Sequence, residues 1–186
     1  MSDKPCTRAK ILDALKALGD KLLRQEVHGQ IFIVGGAAMA LAYSNRRVTK
    51  DIDAVFEPKM VIYQAAAQLA EELGLPSDWL NDTVKGFVPG PDEEARPILD
   101  VPGIEITIAS PRYLLAMKLM AMRFGEDDED IEILLRACGF TSANEALQLL
   151  ARLYPLQEPP LKTKLFLEDL LGPTASNLGT GEATNS

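Results

Sequence analysis

At 186 residues, with 47% hydrophobic and 25% charged side chains, the chain has the length and composition of one ordinary globular domain, large enough to bury a core without disulfides or structural metal. Its formal net charge of −8 excludes a protein that coats nucleic acid through a broad basic surface, while a local patch such as Arg46, Arg47 and Lys50 still leaves RNA open as a substrate. Two cysteines, Cys6 and Cys138, and a single histidine, His28, argue against a disulfide framework, a zinc centre and histidine-dependent nucleophilic catalysis.

Ile11, Leu12, Leu15, Leu18, Leu22 and Leu23 recur at helical spacing and predict an amphipathic first helix within 7–27. His28 follows, read as a helix-end or surface imidazole. A strand over 30–34 runs into Gly35-Gly36, which opens a short helix through Met39, Leu41 and Ala42. The second strand is expected at 51–56, and Pro58 then fits the start of a helix that runs to about Leu73 and is ended by Gly74 and Pro76. Residues 89–97 are rich in Pro, Gly and acids and predict a loop, long enough to be functional or mobile. In 103–108 the isoleucines face one side of a strand and Glu105 and Thr107 the other. Ser110 caps the next helix with Pro111 in its first turn, a further helix starts near Asp127, and 142–154 and 161–171 also look helical. The tail 173–186 is polar and expected to be disordered. With no secretory segment and no apolar run of membrane-spanning length, a reduced, cytoplasmic protein that does not contact membranes is expected. The sum is an α+β domain over 1–172: a small mixed sheet flanked by helices, with C-terminal helices over about 138–172.

Asp51 and Asp53 carry the strongest chemical signal. Side chains alternate along a strand, so both carboxylates project to one side while Ile52 and Ala54 point to the other. Held so close they repel each other unless a cation lies between them, and oxygen-only ligands favour Mg²⁺ or Mn²⁺. Separated from Asp51 by fourteen residues, the Gly35-Gly36 turn offers backbone N–H groups to a phosphate, although a tight strand-to-helix turn explains the glycines equally well. The Gly-x-Gly-x-x-Gly spacing of a dinucleotide site and the Gly-Lys-Ser/Thr of a P-loop are both missing. Lys118 lies in Tyr113–Met122, a helix otherwise apolar on every face. A buried ammonium is costly unless paired, so it either joins an internal salt bridge, snorkels, or reaches phosphate oxygens or a metal-bound carboxylate. Arg123 is a second positive contact or a favourable charge at a helix end, and Asp127 and Asp130 suit a helix start. Met117, Met120 and Met122 read as core filler and Trp79 as a core residue or a base-stacking one.

Val34-Gly35-Gly36, followed by Arg47-Val-Thr-Lys-Asp51-Ile-Asp53, resembles the signature of the minimal nucleotidyltransferases of the polymerase-β type, with a spacer after Gly36 slightly longer than usual. Ala109–Arg123 with Asp127–Ile131 is similar to the second block of the toxin-type, abortive-infection-like branch, and Ser77–Asp82 to a segment between the blocks. The likeness spans about 30–137. It implies a polymerase-β-like core and an Mg²⁺-dependent transfer of a nucleoside monophosphate from an NTP to an acceptor hydroxyl. Asp51 and Asp53 would hold metal, and Gly35, Gly36, Thr49, Lys118 and Arg123 would contact the nucleotide. Glu105, Asp127 or Asp130 would be the third carboxylate. It further implies a toxin-antitoxin component with transfer RNA or a protein as acceptor and a cognate antitoxin as partner. A protein adenylyltransferase serving as antitoxin, and a nucleotide-binding module without turnover, are the alternatives.

Overall fold

The computed structural model describes residues 7–44 and 49–173. Along them run the helices α1 (Arg8–Arg24), α2 (Gly35–Ala38), α3 (Lys59–Leu73), α4 (Pro111–Ala121), α5 (Asp128–Cys138), α6 (Ala143–Leu153) and α7 (Leu161–Leu171). The strands are β1 (Gly29–Ile33), β2 (Ile52–Glu57), β3 (Leu80–Asn81), β4 (Arg96–Val101) and β5 (Ile104–Ile108). They form one mixed sheet in the order β3-β2-β1-β5-β4, in which β1 runs antiparallel to β2 and parallel to β5. The expected α+β class, a mixed sheet flanked by helices, is what the chain adopts. The patch at Arg46 and Arg47, Cys6, and the tail from residue 174 lie outside the described residues.

Strand alternation divides the sheet into two unlike faces. Ile31, Ile33, Ile52, Ala54, Phe56, Ile104, Ile106 and Ile108 are buried, on the side covered by α1 and α3. Leu15, Leu18 and Leu22 of α1 and Ile62 and Leu69 of α3 are buried there too. Burying a side chain of this size contributes about 1.5–3 kcal/mol relative to exposure, so this layer is the main support of the fold. The other face carries Gln30, Phe32, Asp53, Val55, Glu57, Glu105 and Thr107, none fully buried. Tyr113 of α4 meets this face, its ring edge-on to Phe32 with centroids 5.3 Å apart.

Two details position the candidate site. Residues 89–95, within the expected loop, are pinned to the start of α4: Asp92 accepts hydrogen bonds from Ser110 N (2.7 Å) and Ser110 Oγ (3.0 Å), and the Tyr113 hydroxyl donates to Gly90 O (2.6 Å). The loop was expected to extend to Pro97, but Arg96 and Pro97 already belong to β4. Its first residues, Arg96 and Pro97, are exposed, and it slips register between Pro97 and Leu99. An edge strand holding a proline and a bulge shows none of the alternation by which strands are recognised. Farther along, Thr163 Oγ1 donates to Leu119 O (2.8 Å) and Lys162 Nζ to Met122 O (2.6 Å), so α7 satisfies carbonyls at the end of α4 that no further helical turn reaches. No helix of the described residues is long and apolar enough to cross a membrane.

Candidate active site

At the end of β1 the backbone continues pairing for one more step, Val34 N donating to Asp53 O (3.0 Å), and then turns sharply at Gly35. Gly35 has φ +61°, and a Cβ built on it would lie 2.8 Å from Asp53 Oδ2. Glycine is therefore required twice over, for the left-handed backbone and for the approach of the carboxylate. Gly36 is less constrained, a Cβ there meeting Thr49 Oγ1 at 3.1 Å. We expect Gly35→Ala to cost about 1–2 kcal/mol from the backbone conformation alone, plus displacement of Asp53. Gly36→Ala should cost markedly less, as read by urea denaturation. From Gly35 the chain forms α2 and continues directly into a π-helical turn, Met39–Tyr43.

Asn81, on the adjoining β3, donates to Asp51 Oδ2 (3.2 Å), and its amide also favours the charged form of Asp53. Thr49 does not point at the carboxylates; its hydroxyl donates to Asp51 O (3.0 Å) and braces the backbone before β2. Burial, and then the Asp51 charge, push the Asp53 carboxyl above its ordinary value, against the opposing Asn81 hydrogen bond and Arg123 charge. A desolvated carboxylate beside a second one gains from a hard divalent cation. Among the described residues no group of three or more His, Cys, Asp or Glu side chains is gathered as a metal cage. Mg²⁺ is commonly held by one or two carboxylates plus substrate phosphates, so the donor set fits that ion.

Asp53 opens into a cavity of about 560 Å³, within the size range of small-molecule sites. Gly35 and Gly36 line it on the Asp53 side, Met117, Lys118 and Met120 from α4, and Arg123 and Asp127 from the turn that follows. Lys118 is 9% exposed and pairs with Asp127 Oδ1 (2.7 Å) and Asp130 Oδ2 (2.8 Å), both carboxylates being 1% exposed. Of the roles open to this lysine, the internal salt bridge is therefore realised, at the wall of the cavity. Asp127 Oδ2 in turn accepts from Arg123 N (3.0 Å) and Arg123 Nε (3.3 Å). Asp127 occupies the N-cap position of α5 yet makes no side-chain capping bond, because its carboxylate is turned inward to these cations. Burial pushes the Asp127 carboxyl up, but Lys118, through its hydrogen bond and charge, and then Arg123 outweigh this and hold it below the ordinary value.

Glu105 is not brought to this cavity. It stands opposite Gln30, which is also opposite Glu57, and accepts a hydrogen bond from Gln30 Nε2 (3.2 Å). Glu57 lies four residues beyond Asp53, so Glu105 sits at the far end of the sheet, roughly 13 Å away along the strands. Asp127 does line the same cavity as Asp53, but both its oxygens are already engaged by Lys118 and Arg123. Asp130 is tied to Lys118. Trp79 is buried in the core, donating through Nε1 to Ala66 O (3.0 Å). Met122 is fully buried, and Met117 and Met120 pack half-buried against the core while also lining the cavity.

The rest of the lining was not foreseen from the sequence. Val84 and Phe87 come from the segment after β3, and Tyr154 and Gln157 from the turn between α6 and α7. Burial pushes the Tyr154 phenol up to about 12, so it stays a donor, and it holds Phe87 O at 2.9 Å. A tyrosine at a helix end and an exposed phenylalanine between Gly86 and Val88 give no sign in one dimension that they will meet.

No curated protein and no solved structure matches the chain. A family model described as a nucleotidyltransferase of unknown function (DUF6036) matches residues 10–140, taking in the Gly-Gly turn, the paired acids, Lys118 and the whole of α5. The mixed five-stranded sheet flanked by helices is consistent with such a core. With well over half its length matched, the chain belongs to this family of nucleotidyltransferases of unknown function.

Proposed function

We propose that the protein transfers a nucleoside monophosphate from an NTP to an acceptor hydroxyl with Mg²⁺ or Mn²⁺ as cofactor. The observation that carries this is Asp53, with the Asp51 charge beside it, opening into a cavity that Lys118 and Arg123 also line. Asp51 and Asp53 would hold the metal, which when bound neutralises phosphate charge and activates the α-phosphorus as a Lewis acid. Gly35 and Gly36 allow backbone to approach the phosphates closely. Arg123, with a side chain 65% exposed, is placed to meet the charge of the departing pyrophosphate. Asp127 acts as a positioning residue, fixing Lys118 and Arg123 at the cavity edge.

The toxin-type resemblance suggests transfer RNA or a protein as acceptor, with a cognate antitoxin restraining the activity; an adenylyltransferase acting as antitoxin uses the same chemistry. One observation favours a second reading, a nucleotide-binding module without turnover. Among the described residues no third carboxylate with a free oxygen lies beside Asp53, and β5 offers Thr107 at the nearest matching position. The test is incubation of the protein with each labelled NTP, Mg²⁺ and total transfer RNA, beside an Asp51→Ala/Asp53→Ala variant. Label entering RNA or protein with the wild type alone supports transfer and identifies the acceptor. Mg²⁺-dependent NTP binding without transfer supports the binding module. Neither binding nor transfer overturns both.

A further inference from the structure

We propose that the wall formed by Phe87, Tyr154 and Gln157 is the nucleobase slot of this cavity and that it selects a purine, adenine before the others. This rests on the nucleotide reading of the cavity and deepens it. The lining of the cavity is of two chemical kinds. Charged groups, Asp53, Lys118, Arg123 and Asp127, suit phosphates and their metal. Apolar and aromatic groups, Val84, Phe87, Met117, Met120 and Tyr154, line it too, together with a single amide, Gln157.

Phe87 borders the cavity and its ring is 71% exposed, so a planar group can lie against it. Its backbone is fixed from behind by the Tyr154 hydroxyl, so the ring is presented by a braced segment. Base–aromatic stacking is tolerant of sequence, so Phe87 supplies affinity and Gln157 supplies choice. An amide offers one donor and one acceptor side by side, the pattern that complements the N6 amino group and N7 of adenine. Tyr154 and Gln157 lie beyond the matched residues 10–140, so base choice would come from the C-terminal helices and not from the family core.

The test is calorimetric titration of the full chain, with Mg²⁺ present, by ATP, GTP, CTP, UTP and inorganic tripolyphosphate. It uses wild type, Phe87→Ala and Gln157→Leu; both side chains are exposed, so folding should be retained and circular dichroism checks it. We expect ATP to bind tightest and Phe87→Ala to weaken every NTP by roughly 10- to 100-fold while tripolyphosphate is unchanged. Gln157→Leu should flatten the order of the four bases. Tripolyphosphate and all four NTPs binding equally well, or Phe87→Ala leaving ATP affinity intact, overturns the slot while the nucleotide site stands. A pyrimidine binding tightest overturns the purine assignment. If neither the NTPs nor tripolyphosphate bind, the nucleotide site falls and the slot with it.

Discussion

Lys118→Met is expected to lower the unfolding free energy by about 3–5 kcal/mol, the usual cost of leaving buried charge uncompensated. Asp127 and Asp130 are each 1% exposed and meet at one ammonium, at 2.7 and 2.8 Å. Methionine fills a similar volume, so the loss reports charge and not a cavity. Adding Asp127→Asn and Asp130→Asn to Lys118→Met should recover much of it, because a buried ion cluster replaced by neutral groups is often close to neutral in energy. The pH dependence has a fixed sign. The Asp127 carboxyl is held below its ordinary 3.8, so its contribution is present above that value and is lost as pH falls through the lower native value. The gap between wild type and Lys118→Met should therefore be full at neutral pH and narrow in acid. Urea denaturation at several pH values reads both effects, and equal stabilities at neutral pH would show that the triad carries no such energy.

Asp53→Asn is expected to act in opposite directions on activity and stability. A metal-held charge contributes several kcal/mol to a phosphoryl transfer, and each 1.36 kcal/mol is tenfold in rate, so turnover should fall by at least about 100-fold. Metal-free, the variant should nonetheless melt higher than wild type. The Asp53 carboxyl is raised above its ordinary 3.8 by burial and by Asp51, so ionising it costs the native state more than the unfolded one. Wild-type stability is thus eroded as pH climbs from 3.8 through the raised native value, and asparagine escapes this. The advantage of the variant should appear at neutral pH and vanish in acid. Mg²⁺ should reverse the order, since a ligand at 100 times its dissociation constant adds about 2.7 kcal/mol to the form that binds it. Thermal melts with and without Mg²⁺ decide the matter: equal stabilisation of both proteins would mean that Asp53 is not a ligand.

The parts of the molecule legible in the sequence are those whose physics is local. The isoleucines of β5 alternate as written, Ser110 caps α4 by accepting from Tyr113 N, and Gly74 ends α3 in a left-handed conformation. The sharp turn before Asp53 was visible too, because glycine pairs and carboxylate pairs are rare enough in apolar strands to be noticed. What could not be read depends on register or on contacts distant in the chain. Glu105 sits on the same sheet face as Asp53, and face was all that alternation could tell; the four-residue offset that separates them is set by how β1 pairs with its two neighbours. Asp127 suited a helix start on local grounds, but a buried ammonium nine residues earlier outweighed the gain from capping. Phe87 and Gln157 are seventy residues apart and share a cavity only because α6 folds back against α4.

The hydrogen bonds from α7 to the end of α4 make the molecule mechanically longer than its recognisable motif. Sequence likeness stops at residue 140, yet the helix bearing Lys118 is fastened at its far end by Lys162 and Thr163. A chain shortened to the matched segment would leave the carbonyls of Leu119 and Met122 without these partners and uncover the apolar side of α4 that α6 now shields. Two tasks are thereby divided along one polypeptide. The first three-quarters carry the paired acids and the cations, and the last helices hold from outside the helix on which Lys118 sits.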